Sequence, residues 1–304
     1  MAFAAFGSAN APAAGKPTRS GKVVIALLAP GLAYLGAFFL TPLFALIMVS
    51  LEVPDPNGGY ATYVPGLEFG NYAYVIQQYL PHILRSFGYA LAATVLALVI
   101  SYPLAYFIGV KARAWPLMQK LMLTLVIAPF FISFLLRTLA WKQIFSNESW
   151  IVTTLHDMGL LGQTQYVVGT PFMVIFGLTY NFIPFMTLPL YTSLERLDLR
   201  YLEAGSDLYA SPSKVFRKIT LPLSMPGIIS GTLLTFIPIA GDYINASGDF
   251  LGSSSTSMIG NVIESNYLQI NDYPSASALS VLLMGVILVL VSVYVKKSGT
   301  EDLL

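Results

Sequence analysis

The sequence predicts an all-α, polytopic membrane protein with six transmembrane helices, short helices in a cytosolic loop, and both termini in the cytosol. Three observations predict it. Of 304 residues, 56% are hydrophobic and only 10% charged, far from the balance of an ordinary soluble domain. Several apolar stretches reach the roughly 20 residues that a helix needs to cross a bilayer. Taken as spans, those stretches also leave the basic residues on one side. The net charge of +1 offers no case for nucleic-acid binding. The absence of Cys removes disulfides, thiolate metal sites and Cys nucleophiles together.

Residues 1–20 are small and polar and read as a disordered cytosolic tail; 298–304 read as a second tail. A cleaved signal peptide is the rival reading of the N-terminus. The apolar run from Val23 to Leu51 is too long for it, since a signal core holds about 7–15 residues. Residues 21–297 then form one transmembrane domain. The first span is that run. Glu52 to about Arg85 follows as an outer segment, with a turn cluster at Pro54–Gly59 and a Tyr-rich stretch, Phe69–Leu80, expected along the headgroups. The second span is about Ser86–Val110 and the third about Leu117–Phe145, with Pro129 and Arg137 inside it. The fourth is Pro171 to about Ser193, the fifth Leu221 to about Ala240, and the last about Ser277–Val295. With both termini inside, every Lys and Arg except Arg85, Arg137 and Lys142 falls on the inner side.

One stretch breaks the apolar pattern. Between about 195 and 220, Glu195, Asp198, Glu203 and Asp207 mix with Arg196, Arg200, Lys214, Arg217 and Lys218. Leu197, Tyr201, Leu208, Val215, Phe216 and Ile219 recur at helical spacing, so short amphipathic helices are expected. Such a loop is either a solvated connection or a surface for docking a soluble partner. Catalysis has no support: His82 and His156 lack metal-ligand spacing, and no HExxH, GxSxG or GxxxxGK[ST] motif occurs. The missing phosphate loop means that any ATP-driven work needs a separate ATPase chain. Asn147-Glu148-Ser149 and Asn245-Ala246-Ser247 match a glycosylation sequon, a short pattern that carries little weight.

Glu203-Ala204-Gly205, Asp207, Tyr209, Lys214, Arg217, Ile219 and Leu221-Pro222 resemble the E-A-A loop of ABC importer permeases in spacing. The resemblance implies coupling helices that sit in a groove of a cytosolic ATPase. Two positions depart from the pattern: Gly205 replaces Ala, and Tyr209 stands where Gly is usual. With Tyr there, the chain break is expected instead at Ala210-Ser211-Pro212.

The region beyond the loop is acidic. From Ile219 to Val295 there is no Lys or Arg, while Asp242, Asp249, Glu264 and Asp272 are present. This is either the reverse side of the positive-inside bias or a negative vestibule that gathers cationic solute. Phe236-Ile237-Pro238, Gly241-Asp242-Tyr243, Met258-Ile259-Gly260-Asn261 and Asp272-Tyr273-Pro274 resemble the spermidine/putrescine branch of those permeases, with Tyr273 in place of Trp. Ala128-Pro129-Phe130, Phe134–Thr138 and Tyr180–Met186 agree.

For Asp242 two readings stand. It pairs structurally with Arg137 (or Arg137 snorkels to the headgroups), or it holds a ligand ammonium beside the aromatic faces of Tyr243, Tyr180 or Trp141. Asn181 either lines the path or bonds one helix to another. Glu264 is a further path candidate.

The resemblance implies a permease subunit in a cytoplasmic membrane, forming half of a polyamine path. Its expected partners are a cytosolic ATPase dimer, a second homologous permease, an extracytoplasmic solute-binding protein, a polyamine and the lipid bilayer. This chain itself would hold no cofactor, ATP and Mg belonging to the ATPase. Another cargo (an amino acid, thiamine or an iron chelate) would share the same loop. A secondary transporter is the rival class, but it would be expected to show inverted repeats and carboxylates at mid-span.

Overall fold

Small residues decide where the helices meet. In the computed structural model, which describes residues 21–162 and 165–297, Ala90, Ala93, Ala97, Ser101 and Ala105 lie three or four apart on one helix face and are all fully buried. That helix, α3, runs from Gly70 to Tyr106. At 1.5 Å per residue it is about 55 Å long, well over the roughly 30 Å of a hydrocarbon core. The expectation that Phe69–Leu80 lies flat is therefore corrected. From Gly70 this stretch is the first part of α3, and Val75 on it is completely buried against Ile259, Ala278 and Leu279. The expected tails at 1–20 and 298–304 lie outside the described residues.

The chain divides after Leu46. The first unit is apolar helix: α1, Gly21–Leu35, passes through a wider π turn at Gly36–Leu40 into α2, Thr41–Val49. In the second unit a two-residue antiparallel pairing, Val53–Pro54 with Tyr63–Val64, precedes α3. After a π turn at Phe107–Lys111 come α4 (Pro116–Ile127), α5 (Phe134–Ile144) and α6 (Trp150–Asp157). The long helix α7, Pro171–Glu195, tolerates Pro184 and Pro189 without a break. Next are α8 (Arg200–Asp207), α9 (Pro212–Val215), a π turn at Phe216–Thr220, α10 (Leu221–Leu223) and α11 (Met225–Ala240). The chain closes with α12 (Ile259–Ser265), a π turn at Asn266–Ile270, and α13 (Tyr273–Lys297).

Two expected spans are not straight. The third bends by 94° between Pro116–Phe131 and Phe134–Ile144. Pro129 in a 3-10 turn and extended Ile132 make that bend, because Pro removes an amide donor and crowds the preceding turn. The fifth bends by 64° around Ser224, between Pro212–Leu223 and Met225–Ala240. Among the described residues, four helices are individually long and apolar enough to cross a membrane, and six spans result if each bent pair counts as one.

The core of the second unit is the contact of α3, α7 and α11, with Ala90, Ala93, Val174, Leu178, Phe182 and Ile239 at one end. Ala97, Tyr102, Met186, Leu190 and Leu194 fill the other. Glycines set the approach of α11 to α7. A Cβ on Gly227 would stand 2.8 Å from the Pro189 carbonyl oxygen and 2.6 Å from Ser193 Cβ, and one on Gly231 would stand 2.8 Å from Met186 Sδ. At Gly227 the obstacle includes backbone, which cannot rotate away. Gly227→Val should therefore cost about 1–3 kcal/mol through overpacking. A lowered thermal midpoint of the detergent-solubilised protein is the expected result, with Gly285→Val, in open space, as the neutral control.

Candidate functional site

Two sites lie at opposite ends of α7. At its C-terminus the backbone leaves carbonyls without helical partners. Arg113, just past α3, supplies them: its guanidinium donates to the carbonyl oxygens of Leu194 (2.5 Å), Glu195 (2.6 Å) and Leu197 (3.0 Å), and also to that of Gly109. Only a planar fork with several donors can hold so many carbonyls. Gly109 makes the approach possible, since a Cβ there would lie 3.2 Å from Leu194 Cβ. Arg113 was visible in the sequence only as one more basic residue near a span end; nothing in its neighbours marked it as a clamp.

The charged loop grows from this clamp. Phe216 packs edge-on against Tyr102 and Tyr106 of α3, with ring centroids 5.5 and 6.4 Å apart. Tyr102 Oη and Ser224 Oγ are 2.8 Å apart. Leu221 packs half-buried against the same cluster. On α8, Leu202 and Gly205 turn inward, while Glu203, Ala204 and Asp207 are exposed. Lys214, Arg217, Lys218 and Pro222 are exposed as well. Gly205 has a local reason: a Cβ there would come 2.9 Å from Ile219 Cδ1 and 3.2 Å from Val215 Cγ2. The helix sits one small step closer to its support than an Ala would allow.

The expected break at Ala210-Ser211-Pro212 is corrected. The turn is made by Tyr209 itself, with φ of 54°. Its amide donates to the Ser206 carbonyl (2.9 Å) and the Ala210 amide to that of Gly205 (3.2 Å). These two bonds are the Schellman ending of α8, with Tyr209 at the left-handed position that usually takes Gly. Pro212 instead opens α9.

At the N-terminal end of α7, the segment 241–258 folds inward. Asn245 is completely buried. Its amide N–H donates to Asp242 Oδ1 (2.8 Å) and its Nδ2 to Asp242 Oδ2 (3.1 Å). Its Oδ1 accepts from Asn181 Nδ2 (3.1 Å), which also donates to Thr138 Oγ1 (3.2 Å). One buried chain, Thr138–Asn181–Asn245–Asp242, thus links α5, α7 and the end of α11. Burial pushes the Asp242 carboxyl up, to about 6, against the opposing pull of its Asn245 hydrogen bonds. Asn245 was read only as part of a sequon, and its burial disqualifies it as a surface acceptor.

The expected Arg137–Asp242 pair is not formed. Among the described residues the one ion pair within 4.0 Å is Arg200–Asp198. Asp242 is occupied by Asn245. Arg137 is 8% exposed, lies 5.7 Å over the Phe134 ring, and has Nε and Nη1 without a hydrogen-bond partner. The other two bases at this end are clamps on the same segment: Arg85 donates to the Ser257 carbonyl (2.8 Å) and Lys142 to that of Asp249 (2.7 Å).

The aromatic candidates separate. Trp141 and Tyr180 meet edge to face at 5.0 Å, so they pack on each other, whereas Tyr243 remains half-exposed beside Asp242. Glu264 stands apart, lining a cavity of about 410 Å³ with Tyr79, Ser253, Ser257, Asn261 and Gln269. Burial and then nearby Asp249 raise its carboxyl above the usual range.

A bundle of long apolar helices with a charged loop fastened at one end defines a membrane-embedded protein, and its relatives give the class. The chain belongs to the family of binding-protein-dependent transport system inner membrane components, which matches residues 101–297. It is 34% identical over 274 residues, 90% of this chain and 92% of the other, to the spermidine/putrescine transport system permease protein PotB of Haemophilus influenzae. To PotB of Escherichia coli K12 it is 37% identical over 220 residues, 72% of this chain and 78% of that one. A bacterial ABC transporter importing the polysaccharide alginate shares the fold, with a TM-score of 0.66 at 17% identity over 92% of this chain and 96% of that one.

The buried chain generates a prediction of its own. Asn245→Leu keeps the branched shape but removes the side-chain bonds to Asp242 Oδ2 and from Asn181 Nδ2, while the backbone bond to Asp242 Oδ1 and the bond from Asn181 to Thr138 remain. A loss of about 1–3 kcal/mol is expected, the cost of buried polar atoms left short of a partner. Thermal unfolding in detergent measures it, and Asn147→Leu on the exposed loop should leave the midpoint in place.

Proposed function

We propose that this chain is one permease subunit of an ATP-driven polyamine importer in the cytoplasmic membrane. Its six spans place both termini and the charged loop in the cytosol, as the distribution of Lys and Arg supports. The loop is read as the docking site of an ATPase dimer, which alone handles ATP and Mg. A second permease completes the path, and a solute-binding protein delivers cargo on the opposite side. The observation that carries the reading is the clamped loop: Arg113, in the turn after α3, holds the carbonyls of Leu194, Glu195 and Leu197 where α7 passes into the loop. ATPase closure then moves helices and not merely a tether.

Polyamine cargo is supported by the names of the relatives and by the chemistry of the far end. There Asp242, Asp249, Glu264 and Asp272 occur in a stretch without Lys or Arg. Arg85 and Lys142, which stand against this segment, donate to its backbone carbonyls and are thereby fixed in place, with their charge retained. Asp242, with half-exposed Tyr243 beside it, is the carboxylate proposed to receive an ammonium, which would have to displace its bonds from Asn245.

Two measurements test this. Asp242→Asn keeps an acceptor for Asn245 while removing the charge; spermidine uptake into proteoliposomes of the assembled importer should fall at least tenfold with assembly unchanged. Normal uptake would end the ligand role. For the loop, a Glu203→Ala, Arg217→Ala double variant should lose most ligand-stimulated ATPase activity while the bundle keeps its thermal midpoint. Full stimulation in that variant would sink the docking role.

A further inference from the structure

The exposed side of α8 carries an apolar stripe among its charges. Tyr201, Ala204 and Leu208 are spaced by three and four residues, so they form one stripe, and all are exposed, Tyr201 by 58% and Leu208 by 81%. The inward stripe, Leu202 and Gly205, already supplies the packing that anchors the helix. The outward stripe therefore has no function within this chain. It runs straight into Tyr209, whose side chain is 99% exposed. That residue also holds a left-handed backbone with φ of 54°, which penalises any side chain with a Cβ. Gly would make the same turn without strain and with the same two Schellman hydrogen bonds. A ring that strains the backbone and touches nothing in its own chain has its stabilising contact elsewhere.

We propose that Tyr209 is an aromatic anchor, inserted with Leu208 into an apolar pocket of the ATPase subunit. This deepens the docking role proposed above and rests on it. The surroundings fit a protein partner. Glu203, Asp207, Lys214, Arg217 and Lys218 are all exposed around the stripe and, among the described residues, none of them has an ion-pair partner within 4.0 Å. An apolar centre with aromatic anchors and a rim of both charges is the anatomy of a protein–protein interface. A headgroup layer of one sign would match Lys214, Arg217 and Lys218 but repel Glu203 and Asp207, whereas a protein surface can match both.

The test uses the full-length permease in nanodiscs and the purified ATPase subunit that co-assembles with it in native membranes. Affinity is measured for wild type, Tyr209→Gly, Tyr209→Asn and Tyr209→Phe, each with its thermal midpoint. Gly and Asn both accept the left-handed turn and both lack the ring. They should bind the ATPase at least tenfold more weakly with midpoints no lower than wild type, while Phe stays within about twofold because the ring, not the hydroxyl, makes the contact. Unchanged affinity in Gly and Asn overturns the anchor, as does a Phe variant that behaves like Gly. If the ring serves a lipid surface instead, Gly and Asn keep wild-type ATPase affinity, and the anchor fails in that case also. A wild-type permease that does not bind the ATPase at all overturns the docking reading itself, which separates the two failures.

Discussion

The guanidinium of Arg113 on the terminal carbonyls of α7 is the constraint from which the rest of the structure follows. A helix end inside a membrane protein leaves carbonyls that water cannot always reach. Here one side chain answers three carbonyls at and just past the end of α7 and, in doing so, ties the turn after α3 to it. The loop that follows starts from a fixed point. Its second anchor is Phe216 against Tyr102 and Tyr106, again on α3. The charged segment is therefore an extension of the bundle and moves with it. That property suits a part through which force enters.

The two ends of α7 treat polar groups in opposite ways. At the loop end, charges are displayed and mostly unpaired, and they remain available to a partner. At the other end they are engaged by neutral partners: Arg85 and Lys142 hold carbonyls, and Asp242 is wrapped by Asn245. In a low-dielectric interior each such bond is stronger than in water, and each missing one is more costly. The buried chain from Thr138 to Asp242 therefore fixes α5, α7 and the end of α11 in register where apolar packing alone would let them slide. Arg137 departs from this economy, with two donors unsatisfied over the Phe134 ring.

Much of this was legible in the amino-acid order. Hydrophobic runs located the long apolar helices, and the spacing of Glu203, Ile219 and Leu221-Pro222 marked the loop. The candidate residues Asn181 and Asp242 also proved to be neighbours. Their connection was hidden, because Asn245 looked like a loop residue in a sequon. The expected partner Arg137 is an intramembrane base, and an order of residues says nothing of the direction in which its side chain points. Pro129 was noted inside the third span, yet its consequence, a 94° bend, depends on what packs around it; Pro184 and Pro189 in α7 produce no break.

The sequence by itself determined that this chain lives in a bilayer, roughly where it crosses, and which loop is polar, since solvent partition is an additive property of residues read one stretch at a time. Only the tertiary structure decided that Arg113 clamps that loop, that Asn245 rather than Arg137 holds Asp242, and that Tyr209 takes the left-handed turn at the end of α8. Each of those depends on atoms brought within about 3 Å from distant positions or on a single backbone angle. Hydrogen bonds are short and directional, and no pattern along the chain encodes which of several eligible donors will arrive.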